Sequence, residues 1–268
     1  YARPAAQGMS GPLVLVGATL IDGTGAEPVR GRAVVVDGGR IAAVVDAGQA
    51  PRGDRVDLAA HTLLPGLINC HVHLCLGAEA DPVRPLRDEP ASVTTIRTLL
   101  RARETVEAGV TTVRDLGGRD YVEMAVRDAI NAGTCVGPRL FLAGRLLSIT
   151  TSTADYYPGM YEVADGADAV RAAARRQLAK GADLIKVMAT GAMLSSETED
   201  SRAIQFTLEE LKAAVEIAHD NHKHVAAHCH ALRGIENAVE AGADSIEHCT
   251  FADDAVLRGY AAQAKGAL

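Results

Sequence analysis

Two pairs of histidines, each pair separated by one residue, stand at the ends of short apolar stretches. His71 and His73 lie near the end of LPGLINCHVHL, and His228 and His230 lie at the end of NHKHVAAHCH. On a β-strand, residues i and i+2 lie on one face, so each pair can present two imidazoles to the same site. Imidazole nitrogens are ligands for zinc and its neighbours in the first transition row. The spacing alone leaves open a plain alternative, a half-buried strand whose histidines are simply hydrogen-bonded.

Two further residues lie at comparable positions, Lys186 in DLIKVM and His248 in SIEH. An ammonium group is expensive to bury. A neutral lysine can react with carbon dioxide to form a carbamate, an anion that can bridge two divalent metals. The alternative is that the Lys186 side chain extends from the strand end into solvent. Because candidate ligands end four separate strands, a shared metal site is a better hypothesis than four independent coincidences.

Other polar residues are expected to have structural roles. Asp115 ends TTVRD at an equivalent position, but we expect it to hydrogen-bond within its loop rather than to bind metal. His219, His222 and His224 surround the start of a predicted strand, which is the opposite end from the other candidates. These three histidines are therefore predicted to be surface residues.

The elements that must position the candidates follow a repeated pattern after residue 64. A helix end, a glycine and a strand recur in VEAGVTTVRD, LAKGADLIKV and VEAGADSIEH. The glycine suits the left-handed position that ends a helix. With NAGTCVGPRLFLAG and the two histidine stretches, about six strands result, each followed by a helix or a long loop. This alternation predicts an α/β fold with parallel strands, either a TIM barrel or a doubly wound sheet. In a TIM barrel, functional residues lie at the C-terminal ends of the strands.

The region before residue 65 has a different character, with β-branched runs separated by glycine turns. The stretch AVVVDGGRIAAVV predicts a hairpin that turns at Asp37, Gly38 and Gly39. We therefore predict a disordered N-terminal segment at 1–12, a small β domain at 13–64 and the helix–strand domain at 65–268.

Composition excludes several classes of protein. The 268 residues are 48% hydrophobic and 23% charged, as in soluble globular proteins. The net charge of −7 without a Lys/Arg stripe argues against nucleic acid as a partner. No apolar run approaches a membrane span in length. The odd number of five widely spaced cysteines favours a reducing compartment, and we expect a cytoplasmic protein. A homo-oligomer is left open.

Taken together, the motifs resemble the amidohydrolase superfamily, and within it the imidazolonepropionase-like and prolidase-like branch. The matching stretches are VLVGATLIDGTG, VVVDGGRIAAV, LLPGLINCHVHL, AGVTTVRDLGG, GADLIKVMATGA and VAAHCHALRGIENAVEAGADSIEHCTF. They cover nearly all of the chain from about residue 13. The resemblance implies a (β/α)8 TIM barrel with a composite β-sandwich beside it, of which 13–64 would be the N-terminal part.

The resemblance also implies a set of metal ligands: His71, His73, Lys186, His228 and His248. His71 and His73 would hold one divalent ion, and a carbamylated Lys186 would bridge it to a second. The ions expected are zinc, with manganese, cobalt or iron as alternatives. His230 resembles a position near the substrate. The implied reaction is hydrolysis of a carbon–nitrogen bond by a metal-bound hydroxide, in a cyclic amide, a dipeptide or an N-acyl amino acid.

Two features depart from the family pattern. The family's general base is an Asp that ends the eighth strand, whereas this sequence stops after a sixth strand, at AAQAKGAL. We therefore expect an incomplete barrel, truncated before strands seven and eight, and an inactive fragment of a longer protein. Many relatives also carry a Gly-rich stretch with a His after strand three, where this sequence has LLSITTSTADYYPG. That departure weakens a dipeptidase assignment and keeps open a pseudo-enzyme that at most binds metal.

Overall fold

The computed structural model describes residues 11–193 and 199–265, with the side chains of 262–265 excepted. The predicted disordered segment 1–12 falls outside the described residues except for positions 11 and 12. The chain divides into two compact units, Tyr1–Leu67 and Ile68–Leu268.

The first unit is built from β-strands. Its strands are β1 (Leu13–Val16), β2 (Thr19–Leu20), β3 (Arg32–Asp37), β4 (Arg40–Asp46), β5 (Asp54–Asp57) and β6 (Thr62–Leu63). Four of them form a sheet in the order β4-β3-β1-β5, and β2 pairs with β6. The predicted hairpin is confirmed, because β3 and β4 pair antiparallel across Gly38 and Gly39, which have φ of 54° and 77°. Val14 and Ala33 are fully buried in this unit.

The second unit alternates strands and helices, as the sequence predicts. Its strands are β7 (Leu67–Val72), β8 (Val110–Asp115), β9 (Arg139–Leu142), β10 (Leu146–Ser148), β11 (Tyr161–Val163), β12 (Leu184–Met188), β13 (His224–Cys229) and β14 (Ser245–His248). Its helices are α1 (Arg84–Asp88), α2 (Ala91–Glu107), α3 (Val122–Asn131), α4 (Ser152–Tyr156), α5 (Ala167–Ala179), α6 (Leu208–Asp220), α7 (Leu232–Ala241) and α8 (Asp254–Lys265). Among the described residues, no helix is long and apolar enough to cross a membrane.

The strands of the second unit form two sheets, with the orders β7-β8-β9 and β11-β10-β12-β13-β14. Strand β8 pairs parallel with β9, and the pairs of the five-stranded sheet are parallel throughout. The described chain therefore contains no closed barrel. The expectation of about six strands is too low, since β10 lies within the stretch LLSITTSTADYYPG and β11 follows it, where no strand was expected. Each of these two strands has only three residues, too few to show a period of two.

The glycines that recur between helix and strand have the predicted conformation. Gly109, Gly181 and Gly242 follow α2, α5 and α7 with φ of 90°, 91° and 88°. A side chain at these positions would be strained, because L-residues rarely adopt the left-handed region. The glycines end each helix within one or two residues and direct the chain into the next strand.

The core of this unit lies between the helices and the five-stranded sheet. Ile185 and Val187 of β12 are buried against small and branched residues of α5, α6 and β13, among them Ala173, Ala214 and Val225. Every residue of β12 is buried, so both faces of this strand are covered. The face opposite the helices carries Leu184, Lys186 and Met188, because successive side chains alternate across a strand.

A candidate metal centre

The five histidines singled out by the sequence lie in one cluster. The ring centroids of His71 and His73 are 5.4 Å apart, and those of His71 and His248 are 4.8 Å apart. His248 in turn lies 4.7 Å from His228 and 4.9 Å from His230. One ring nitrogen from each of His228, His230 and His248 lies within 4.8 Å of the others. The structure thus brings together residues separated by up to 177 positions in the chain.

The ends of three strands, β7, β13 and β14, position these rings. His71 lies in β7 and His73 directly follows it, whereas His230 directly follows β13. His248 is the last residue of β14 and has a left-handed backbone, with φ of 73°. Cys249 also has a positive φ, of 52°. Two adjacent non-glycine residues in this region are uncommon, and such strain often accompanies a functional site.

Backbone carbonyls determine which nitrogen of two rings is free to bind a metal. His73 Nδ1 lies 2.9 Å from the oxygen of Gly117, and His228 Nε2 lies 3.1 Å from the oxygen of Gly191. Because a carbonyl oxygen only accepts, each of these nitrogens must carry the proton. The lone pair is then left on His73 Nε2 and on His228 Nδ1. A hydrogen bond of this kind also fixes the orientation of a ligand ring.

Burial keeps these imidazoles neutral, which is the form that binds metals. It lowers the pKa of His73 to about 3 and that of His248 to about 4, since the charged forms lose hydration. The pKa of His228 is also well below the usual value, again mainly because of burial. His73, His228 and His248 are therefore neutral at pH 7.

Lys186 is buried beside the histidines. Its side chain is 1% exposed, and its Nζ has no hydrogen-bond partner among the described residues. Burial lowers the pKa of Lys186 to about 8. The alternative in which the ammonium extends into solvent is therefore wrong. A buried, unpaired ammonium is unfavourable, so this position calls for a group that the protein atoms do not supply.

The cluster opens into a cavity of about 410 Å³. All five histidines and Lys186 line it. The rest of its wall is mainly apolar: Leu76, Leu146, Tyr157, Met160, Tyr161, Met188, Ala192 and Met193. Thr250 also lines the cavity, and its hydroxyl lies 2.7 Å from His230 Nδ1. Among the described lining residues there is no carboxylate.

Asp115 hydrogen-bonds within its loop as expected, through Gly117, but also to the distant Leu74, and two of the three histidines expected at the surface pair there with Asp244. Asp115 is fully buried, and its two oxygens accept from the backbone N–H groups of Leu74 at 2.8 Å and Gly117 at 3.0 Å. His219 and His224 are exposed and pair with Asp244, at 2.9 and 3.0 Å. His224 begins β13, so this group lies at the end of the strand remote from the cavity.

Two residues next to the site, Glu247 and Arg114, were not predicted from the sequence. Glu247 is buried, and its Oε2 lies 2.7 Å from His71 Nδ1. Arg114 binds the other carboxylate oxygen at 2.6 Å. The only indication in the sequence is that each residue stands next to a candidate, Arg114 before Asp115 and Glu247 before His248.

These residues fit divalent metal ions. Neutral imidazoles with a free ring nitrogen are the donors that zinc and related metals prefer. An orphaned lysine nitrogen lies among them, where a carbamate would supply oxygen ligands and negative charge.

The chain was compared with known proteins and solved structures. The model of the Amidohydrolase family matches residues 62–267. Ochratoxinase from Aspergillus niger is 34% identical over 273 aligned positions, which cover 91% of this chain and 55% of that protein. Imidazolonepropionase from Klebsiella pneumoniae subsp. pneumoniae is 47% identical over 45 positions, 17% of this chain and 11% of that protein. The chain thus spans about half the length of its ochratoxinase relative.

Two solved structures have the same fold over most of this chain. A Xaa-Pro dipeptidase with bound methionine in the active site superposes with a TM-score of 0.84 and 33% identity, covering 93% of this chain and 64% of that chain. Aspergillus niger ochratoxinase superposes with a TM-score of 0.80 and 31% identity, covering 95% and 64%. The resemblance inferred from the motifs is confirmed: the chain belongs to the amidohydrolase family.

Proposed function

We propose that the intact protein is a metal-dependent hydrolase of amide-type carbon–nitrogen bonds, and that this chain carries its metal ligands. The observation that carries the proposal is the unpaired Nζ of buried Lys186 amid five clustered histidines. Membership of the amidohydrolase family supports the same activity.

We assign the metal ligands as the resemblance implies. His71 and His73 would hold one ion, and His228 and His248 a second. A carbamylated Lys186 would bridge the two. The charges support this assignment, because neutral imidazoles cannot balance two divalent ions and no carboxylate is found among the described lining residues. The lowered pKa of Lys186, about 8, leaves more of the neutral amine that attacks carbon dioxide, with loss of one proton to form the carbamate.

Bound metals would supply a Lewis acid and lower the pKa of water to about 7. We propose that other residues of the cavity bind the substrate and exclude water. His230 faces the cavity with Nδ1 on the Thr250 hydroxyl and would contact the substrate. The apolar wall that includes Met160 and Met188 would exclude water and hold the apolar part of the substrate. No Asp of this chain matches the family's general base.

For the substrate, we propose a dipeptide or N-acyl amino acid ahead of a cyclic amide. Two relatives that match over more than 90% of this chain are named as a Xaa-Pro dipeptidase and an ochratoxinase. The imidazolonepropionase relative matches only 45 positions. The absence of a His in LLSITTSTADYYPG still argues against assigning one particular dipeptidase specificity.

Metal content tests the assignment directly. The intact protein, loaded with zinc in the presence of bicarbonate, should contain two ions, measured by elemental analysis, and should hydrolyse dipeptides or N-acyl amino acids. Lys186→Ala should bind at most one ion and lose activity. His61→Ala changes an exposed histidine outside the cluster and is the control.

Two outcomes would refute these assignments. Unchanged metal content and turnover in Lys186→Ala would exclude the carbamate. Two bound ions without turnover of any amide would favour the alternative, a pseudo-enzyme that only binds metal.

A further inference from the structure

A partly buried ion-pair network lies next to His71. The Arg114 guanidinium donates from Nε to the oxygen of Cys70 at 2.7 Å, from Nη1 to Ser245 Oγ at 2.9 Å and from Nη2 to Glu247 Oε1 at 2.6 Å. One side chain of β8 therefore holds the backbone next to His71 and two residues of β14. These contacts connect the three-stranded sheet with the five-stranded one.

Glu247 links this network to the His71 ring. Its Oε2 lies 2.7 Å from His71 Nδ1, while Oε1 accepts from both Arg114 and the Ser245 hydroxyl, the latter at 2.8 Å. An ionised carboxylate only accepts hydrogen bonds, so His71 must carry its proton on Nδ1. The lone pair of His71 is then on Nε2, the nitrogen left for a metal.

This arrangement differs from that of two other rings in the cluster. His73 and His228 donate to the backbone carbonyls of Gly117 and Gly191, which no side-chain substitution removes. The tautomer of His71 instead depends on a side chain. Such a partner of a metal ligand orients the ring and raises its basicity.

We propose that Glu247 and Arg114 are positioning residues that hold His71 in the tautomer and orientation that binds metal. The inference rests on the proposed function, in which His71 is a ligand. Arg114 has a second role, because it keeps the buried carboxylate, 8% exposed, paired and pointing at the ring.

The geometry predicts a specific failure when Glu247 is replaced by glutamine. Arg114 and Ser245 both donate toward Oε1, so the amide oxygen of Gln would face them. Its NH2 group would then face His71 and donate to Nδ1. The ring would have to move its proton to Nε2, which removes the lone pair that binds the metal.

Nitrogen NMR of the histidine side chains in the metal-free intact protein tests this without any assay of activity. The wild-type protein should show His71 protonated on Nδ1, and Glu247→Gln should show it on Nε2. Glu247→Asp retains a carboxylate and should restore the Nδ1 form. Glu89→Gln changes another carboxylate bound to an arginine, Arg97, and should have no effect on His71.

Zinc titration calorimetry gives the second measurement. Glu247→Gln should bind at least one of its two ions about 10–100-fold more weakly. An unchanged tautomer and unchanged affinity in this variant would overturn the inference. If Glu247→Gln does not fold, Arg114→Lys tests the positioning role instead. Lysine cannot make all three hydrogen bonds of Arg114 at once. Arg114→Lys should also lower the affinity for at least one ion. Unchanged affinity for both ions would overturn the inference.

These outcomes separate the inference from the proposed function. A wild-type protein that binds no metal refutes the proposed function, whatever tautomer His71 adopts. A wild-type protein that binds two ions, with a Glu247→Gln variant that binds them equally well, refutes only the positioning role.

Discussion

Lys186 combines a large side chain, complete burial and no hydrogen-bond partner among the described residues. No hydrogen bond within the described residues offsets the loss of hydration of its ammonium, and the attraction of Glu247 does so only in part. We expect such a residue to destabilise the metal-free protein, and the proposed function would account for its presence. Under the proposed function, the Nζ that destabilises the metal-free protein would form the carbamate that bridges two metals.

Replacing Lys186 by methionine should therefore have opposite effects on stability and on metal binding. Methionine fills a similar volume without a charge, so the metal-free, bicarbonate-free protein should gain about 1–3 kcal/mol in free energy of unfolding. Urea unfolding at pH 7 measures this, and metal content should fall in the same variant. The control, Lys212→Met, alters an exposed lysine and should change stability by less than about 0.5 kcal/mol. A less stable Lys186→Met protein would show that the ammonium is stabilising.

The clustering of the candidate histidines could be predicted from the sequence because they lie at the ends of apolar strands, and parallel strands bring their C-terminal ends to one edge. Glu247 and Arg114 could not, because their roles depend on which strands approach each other in space. They lie 133 positions apart, and neither has a spacing that marks it. Their contact is a property of the folded sheets.

At the scale of elements, Glu123 of α3 and Asp115 at the end of β8 form a buried acidic pair. Glu123 in the first turn of α3 packs against Gly118, where a Cβ would lie 1.8 Å from Glu123 Oε2. Neither carboxylate oxygen of Glu123 has a hydrogen-bond partner among the described residues. Burial, and then the nearby Asp115, raise the pKa of Glu123 to about 8. Burial also raises the pKa of Asp115.

This pair predicts a pH dependence of stability. The folded state holds protons on these carboxyls that the unfolded chain releases above pH 4.5, so the unfolded state binds fewer protons and stability falls as pH rises from about 4.5 to 8. Glu123→Gln removes part of this loss and should be more stable than wild type by roughly 1–3 kcal/mol at pH 8, with a smaller gain at pH 5. Urea unfolding at both pH values checks it.

The control for this pH dependence is Glu104→Gln, which changes an exposed carboxylate on α2. It should track wild type at both pH values. An equal gain for Glu123→Gln at pH 5 and pH 8 would contradict the assignment of a raised pKa to this residue.

The capping residues at the start of α6 allow a second prediction at this scale. The Thr207 hydroxyl accepts from the Glu210 backbone N–H, and the Glu210 carboxylate accepts from the Thr207 backbone N–H, which is a capping box. The other oxygen of Glu210 accepts from the Gly166 N–H at 2.7 Å, at the start of α5. Thr207→Ala should lower the free energy of unfolding by about 1 kcal/mol, and Glu210→Ala by more, because it also leaves Gly166 unpaired.

Chemical denaturation measures both effects. Glu209→Ala is the control, because Glu209 is exposed in the same turn. A loss for Glu210→Ala no larger than that for Thr207→Ala would show that the contact with Gly166 adds nothing.

The elements themselves were predictable where local chemistry decides them. The helix-ending glycines and the Asp37–Gly39 hairpin have local causes, a positive φ and a two-residue turn, and both are confirmed. Strands β10 and β11 have no such cause. Each has only three residues, too few for a recognisable strand pattern. They form strands because β10 pairs with both β11 and β12. Their pairing with each other and with β12 is a tertiary effect.

At the scale of the whole molecule, the proposed ligands belong to the unit Ile68–Leu268 but to different sheets. His71 lies in the three-stranded sheet, whereas Lys186, His228 and His248 lie in the five-stranded one. The sequence predicted parallel strands correctly but not their division into two sheets, because the division depends on pairings that no local pattern encodes. A bound metal would therefore connect β7 with β14, which are also joined through Arg114 and through the contact between Glu247 and His71.

This connection predicts where metal binding stabilises the protein. A ligand that binds only the folded state stabilises it by about 2.7 kcal/mol at 100 times its dissociation constant. Because the ligands come from β7, β12, β13 and β14, zinc should slow amide hydrogen exchange in these strands. Exchange in β3 and β4 of the other unit should not change, since no proposed ligand lies there.

Hydrogen exchange with mass spectrometry, with and without zinc, resolves the two units. In His228→Ala the added protection should be lost from β7 as well as from β13, because the ions would be bridged through Lys186. Protection that stays in β7 of this variant would show that the two ions bind independently. Equal protection of β3 and β13 in the wild-type protein would show that zinc acts through some other site, since a metal bound by these histidines cross-links one unit and has no ligand in the other.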